Sequence, residues 1–169
     1  MLIKSCFILF FMLVTLTKAT ADCNPAVPET TPDSDFTLYN DGTVTHNTTG
    51  LMWMRCLLGQ TWDGTTCSGS VQGYTWQNAL QAATGYAFAG YSDWRLPNKN
   101  ELASIVEEAC FNPSINTSVF PNAPASSVWS SSPYAGGSDG AWHVHFGGGG
   151  VVNGGKTHLG HVRLVRGGQ

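Results

Sequence analysis

Apolar and polar positions follow two rhythms along this chain, and the rhythms sort it into elements. Two stretches repeat apolar residues at i, i+3, i+4 and i+7, the stripe of a helix with one buried face. They are Trp76, Ala79, Leu80, Ala83 and then Leu102, Ile105, Val106, Ala109. Thr75 as N-cap and Gly85 as terminator predict the first helix over 74–84. The second opens on Asn98 with Glu101 three residues later, a capping box, and is expected to stop near Cys110. Its solvent side takes Lys99, Asn100, Glu101, Ser104, Glu107 and Glu108. Just before it, Trp94 and Leu96 flank Arg95 in a short buried strand or turn that Pro97 stops, with Arg95 pairing locally.

The second rhythm is that of strands. Residues 36–39 and 43–46 flank Asn40-Asp41-Gly42, a strong hairpin signal. The segment 50–56 is apolar on both faces, which predicts a central strand. Further strands are expected at 128–131, 141–146 and 161–166, with a partner at Val151-Val152. Between them, 57–73 reads as a long polar loop, and 111–127, with Pro113, Pro121 and Pro124, as an irregular traverse over the surface. The proline-rich stretch 22–35 reads as an extended leader with little structure of its own. Two helices, several antiparallel strands and long loops make an α+β domain over 36–169.

Composition changes this picture at the N-terminus. Lys4, an apolar run over 6–16 and Ala19-Thr20-Ala21 have the layout of a secretory signal peptide over 1–21. The run is too short to span a bilayer comfortably, and no second one follows. The chain is therefore expected to be exported, with no membrane span once the signal is removed. Loss of Lys4 and Lys18 leaves six Lys and Arg against eleven Asp and Glu, a net charge of about −5. That balance argues against nucleic acid as a partner. Cys23, Cys56, Cys67 and Cys110 remain, and four cysteines allow three pairings. Cys56–Cys67 is preferred, because the Gly- and Thr-rich segment between them has little else to hold it; Cys23–Cys110 would then tie the leader to the end of the second helix.

Candidate chemistry gathers in the last third, where Asp139 is the one acidic side chain after Phe111. His143 and His145 share one face of a predicted strand, and His158 and His161 approach across a Gly-rich turn. With Lys156, Arg163 and Arg166 they would form an anion-binding face that strengthens as pH falls through about 6.5. The plainer reading is a wet sheet face. His143 and His145 are also weak candidates for zinc or copper, but no carboxylate or cysteine at ligand spacing accompanies them, so no metal or other cofactor is expected. Trp62 and Tyr134 stand in loops outside any periodic face, where they either stack a sugar ring or cover a loop. Gly136-Gly137-Ser138-Asp139-Gly140 fits Gly-x-Ser-x-Gly, but neither a strand before it nor a helix after it makes a nucleophile elbow. No catalytic residue is expected.

Several motifs occur together and in order: Gly50-Leu51-Met52-Trp53, the cysteines around Gly59-Gln60-Thr61-Trp62-Asp63-Gly64, Ser92-Asp93-Trp94-Arg95-Leu96-Pro97-Asn98 with Glu101-Leu102, Val128-Trp129-Ser130-Ser131-Ser132, Ala141-Trp142, and Val162-Arg163-Leu164-Val165-Arg166-Gly167. In this the chain strongly resembles the DUF1566 family, also named for the C-terminal domain of the Legionella collagen-like adhesin. The resemblance implies a variant of the C-type lectin-like fold and an extracellular recognition module, and the adhesin itself binds sulfated glycosaminoglycans. The Glu-Pro-Asn and Trp-Asn-Asp motifs of calcium-held sugar are absent from the sequence. Arg95-Leu96-Pro97 and the helix after it are also similar to a segment of formylglycine-generating enzymes, whose chemistry needs a reactive cysteine pair. The expectation is a secreted, non-catalytic, adhesin-like module that binds an extracellular glycan or a surface protein. Behind it stand a structural subunit of an extracellular appendage, as a homo-oligomer, and last an oxidase.

Overall fold

The computed structural model describes residues 21–167, so the predicted signal peptide lies outside the described residues except for Ala21. In chain order the strands and helices are β1 (Asp22–Cys23), β2 (Phe36–Leu38), β3 (Thr43–His46), β4 (Leu51–Met54), β5 (Thr61–Trp62), β6 (Cys67–Ser68), α1 (Trp76–Ala83), α2 (Lys99–Ala103), β7 (Cys110–Phe111), β8 (Ser127–Pro133), β9 (Gly140–His145), β10 (Gly150–Gly155) and β11 (Val165–Arg166). The α+β class expected from the pattern is observed.

The predicted hairpin forms because Asp41 closes its turn. One carboxylate oxygen accepts from the Thr43 amide at 2.9 Å and from its hydroxyl at 2.6 Å. Gly42 has φ +87°, and a β-carbon there would lie 2.7 Å from Cγ of Trp62, so both the turn and the close approach require glycine. The hairpin extends into a four-stranded antiparallel sheet of order β11-β4-β3-β2, with β4 inside it as its two apolar faces predict. Val44, Trp53 and Val165 align across three strands and are all fully buried. A three-stranded antiparallel sheet, order β10-β9-β8, and two ribbons, β1-β7 and β5-β6, complete the strands. On β8, Val128 enters one core cluster with Phe146 and Phe120, and its neighbour Trp129 enters another with Trp94, Ala79 and Ala83.

Both disulfides form with the preferred pairing, Cys56–Cys67 and Cys23–Cys110. Within the described residues, no helix is long and apolar enough to cross a membrane.

Six expectations need correction. The second helix is one turn rather than three: the capping box forms as predicted, but α2 ends at Ala103. Leu102, Ile105, Val106 and Ala109 are nevertheless all buried, so the apolar stripe survives on turns. Glu107, placed on the wet side, is only 2 % exposed. Its carboxylate accepts from the amides of Thr30 (2.9 Å), Thr31 (2.7 Å) and Ala109 (2.9 Å) and from the Thr31 hydroxyl (2.9 Å). Those bonds fold the chain away from helical geometry and also correct the leader: 22–35 is pinned to the domain by Glu107, by the Cys23–Cys110 bridge and by β1-β7 pairing. The traverse 111–127 is no surface wrap, since Ile115, Val119, Phe120 and Ala123 are core residues. The strand expected over 161–166 is regular at Val165–Arg166 alone, and the loop 57–73 contains the β5-β6 ribbon.

Candidate functional site

The six Lys and Arg of 22–169 do not assemble into a common face. Arg163 is buried: Nη1 donates to the carbonyls of Met54 (2.9 Å) and Arg55, and the guanidinium lies 4.6 Å over the Phe120 ring. Burial pushes its pKa down. Arg55 is buried too, donating to the carbonyls of Val119 (2.8 Å) and Ser118 (3.0 Å). Arg166 pairs with Asp93 at 2.8 Å and stacks 3.8 Å over Tyr91. Arg95 forks onto both oxygens of Glu101 at 2.8 and 2.7 Å, the local pairing expected for it. Lys99 sits 4.6 Å over Trp142. Of the predicted anion-binding cations, Arg163 and Arg166 are held elsewhere, and Lys156 turns its ammonium to Trp76 and the Ser138 carbonyl.

The histidines divide. His143 is wedged on the sheet, its ring 5.3 Å from Trp129, with Nδ1 buried and without a partner. Burial first, then the neighbouring His145 and His158, push its pKa below the usual imidazole value. His145 is exposed on the same strand face, as alternation predicts, and accepts from the Gly147 amide at 3.2 Å. His158 is exposed beside Gly155. His161 instead reaches the Gln72 carbonyl at 3.0 Å from Nδ1, which must therefore carry the proton. No grouping of three or more metal-ligating side chains occurs among the described residues.

Both loop aromatics have structural partners. Trp62 lies under the Arg55 guanidinium at 4.2 Å, covers Gly42, and donates from Nε1 to the Asn40 carbonyl at 2.9 Å. Tyr134 meets Trp142 edge-on at 5.3 Å and covers Gly136, where a β-carbon would lie 2.5 Å from its ring. Each clamps a loop.

A recess that the sequence reading did not collect lies beside Lys156. Thr75, Trp76, Gln77 and Leu80 from the start of α1 face Lys156 and Thr157 across a groove of about 420 Å³. Thr75 caps α1 by accepting from the Asn78 amide at 3.4 Å, which fixes where the helix presents Trp76 and Gln77. The indole is braced: Nε1 donates to the Ser130 carbonyl at 2.8 Å, and the Trp76 amide donates to the Lys156 carbonyl at 3.0 Å. Lys156 extends 4.6 Å over the indole and donates from Nζ to the Ser138 carbonyl at 2.6 Å. Leu80 also lines a second hollow with Thr84, Trp94 and Ser131. Trp76 and Leu80 escaped notice because their helical spacing marks them as core; the available signal was the run of polar Thr75 and Gln77 around an indole that is only half-buried.

Among protein-family models, that of the Lcl C-terminal domain matches residues 42–166. A search of curated proteins found no match.

Proposed function

Because the chain belongs to the Lcl C-terminal domain family, whose name marks an adhesin-like extracellular domain, we propose that it is an exported, non-catalytic recognition module. Its ligand is an extracellular glycan without dense negative charge, bound in the groove beside Trp76. The composition of that groove carries the reading. Leu80 and the part of the indole that Lys156 leaves uncovered offer apolar surface to the C–H face of a sugar, and Gln77 and Thr157 line the groove to meet hydroxyls. The Lys156 ammonium over the indole keeps protons beyond the one given to Ser138. Braced side chains lose little freedom on binding.

Sulfated polymers fit less well. A polyanion binder needs several uncommitted cations on one face, and here all four arginines are held by carbonyls or carboxylates. The bridging of Cys23, Cys56, Cys67 and Cys110 supports both an oxidising, extracytoplasmic location and the absence of oxidase chemistry, which would need free thiols. Two helices packed against a three-stranded sheet, with long loops tied by disulfides, support a C-type lectin-like architecture.

A glycan array spanning neutral and sulfated sugars, probed with the oxidised protein, tests the proposal. Neutral hits whose affinity falls at least tenfold in Gln77→Ala and Lys156→Ala are expected. Hits confined to sulfated sugars, or hits indifferent to both substitutions, would overturn it, as would a blank array.

A further inference from the structure

We infer that the outer edge of β10 is a self-association surface, pairing antiparallel with β10 of a second copy about a two-fold axis through Val152. Three other sheet margins show what a protected edge looks like in this protein. Beyond β8, the Trp129 amide donates to the His161 carbonyl (2.9 Å) and the Ser131 amide to the Pro97 carbonyl (2.7 Å). Beyond β11, Val165 and Arg95 exchange main-chain bonds at 2.9 and 3.0 Å. The margin at β2 is only three residues long. β10 is six residues long, ends its sheet, and carries neither charge nor proline, the usual devices against edge pairing. Val151 and Val152 are 39 and 43 % exposed on it.

The register follows from the hydrogen-bond alternation. The Lys156 amide donates to the Asp139 carbonyl at 2.8 Å, and β10 pairs β9 in the same register. Main-chain groups of Gly154, Val152 and Gly150 therefore turn toward β9, and those of Val151 and Asn153 turn outward. With the axis at Val152, Val151 and Asn153 exchange amide and carbonyl bonds with Asn153 and Val151 of the second copy, twice over. The two Val152 residues become a non-hydrogen-bonded pair whose side chains touch on one face. An axis at Asn153 would need the Gly155 carbonyl, which the His158 amide occupies at 2.9 Å; an axis at Val151 would need Gly149, whose amide donates to His145 at 2.9 Å.

The second copy is the occupant favoured over a foreign strand. The edge has no charged residue to select another sequence, whereas an identical strand pairs the outward groups of Val151 and Asn153, opposes valine to valine and brings no like charges together. This pairing is independent of the glycan groove and of its test.

Directed cross-linking tests it on the oxidised protein, with sedimentation alongside. A symmetric pair of this type places its α-carbons about 4.5 Å apart, within disulfide reach. Val152→Cys should yield a covalent dimer on non-reducing gels, and Val151→Cys, which faces Asn153 of the second copy, should not. Wild-type protein should sediment as a dimer that dissociates on dilution. Asn153→Pro, which removes an outward amide but no bond to β9, should be monomeric with unchanged melting. If that variant folds poorly, amide exchange of wild-type Val151 and Asn153 replaces it, with protection rising as concentration rises. A wild-type monomer at every soluble concentration overturns the inference. So does cross-linking at 151 as readily as at 152, a dimer that survives Asn153→Pro, concentration-independent exchange at both amides, or capture of a foreign extended peptide by a protein that stays monomeric.

Discussion

β4 and β10 are both short strands without a charged residue, yet Trp53 on β4 is fully buried and Val152 on β10 is 43 % exposed. β4 is apolar at every position whereas β10 offers two valines among glycines and an asparagine, and their neighbours differ as well. β4 has β3 on one side and β11 on the other, whereas β10 has β9 alone. A strand flanked twice has its main-chain groups satisfied on both edges; a strand flanked once keeps a row of donors and acceptors for something outside. Stability concentrates around the first and availability around the second.

Truncation inside the enclosed sheet should have the largest effect. Trp53→Ala is expected to cost about 4 kcal/mol of unfolding free energy in urea titrations, from lost burial and the cavity left behind. Next comes Glu107, which holds the N-terminal strap to the same core. Replacing it with Ala strands the amides of Thr30, Thr31 and Ala109 and should cost about 3 kcal/mol. Burial alone would raise the Glu107 carboxyl, but its donors prevail and hold it below the usual glutamate value. Its contribution is then complete above the unfolded pKa of about 4.3 and is lost as pH falls through the lower folded value. Urea midpoints should drop over that acid range in the wild type and much less in Glu107→Gln; equal acid sensitivity would refute the assignment.

Smaller effects sharpen the other side of the comparison. Asn98→Ala, which removes the cap of α2, should cost about 1 kcal/mol by thermal melting. His143, adjoining β10, has a folded pKa below its unfolded value of about 6.5. Its stabilisation is therefore present above that pH and fades as pH falls toward the folded value, and His143→Phe should flatten the stability profile there. Smallest of all, Val152→Ala is expected to change monomer stability by less than about 0.5 kcal/mol at high dilution. A loss near that of Trp53→Ala would erase the distinction between the strands.

What the sequence disclosed was local. The turn at Asp41-Gly42, the caps at Thr75 and Asn98 and the two-faced apolarity of 51–54 are settled within a few residues, and each appears where the pattern put it. What it concealed was decided at long range. The helical stripe from Leu102 runs on to Ala109, but the bonds from Thr30 and Thr31 to Glu107 end the helix early, and nothing near Glu107 announces them. Arg163 is expected on a solvent-facing anion-binding face; carbonyls of Met54 and Arg55, distant in sequence, draw it inside. The groove was hidden for the opposite reason. Trp76 and Leu80 fit a core stripe so well that their partial exposure appears only once Lys156 is placed across from them.

The two disulfides are nested, one bracketing the other. A chain delivered from its N-terminus presents its sulfurs in the order 23, 56, 67, 110, so an indiscriminate oxidant meeting them as they emerge would join Cys23 to Cys56 first. Correct linkage therefore depends on Cys23 waiting for a mate that arrives last, or on a reshuffling catalyst that undoes the premature bond. Yield from any host should track its thiol-exchange capacity more closely than its oxidising strength.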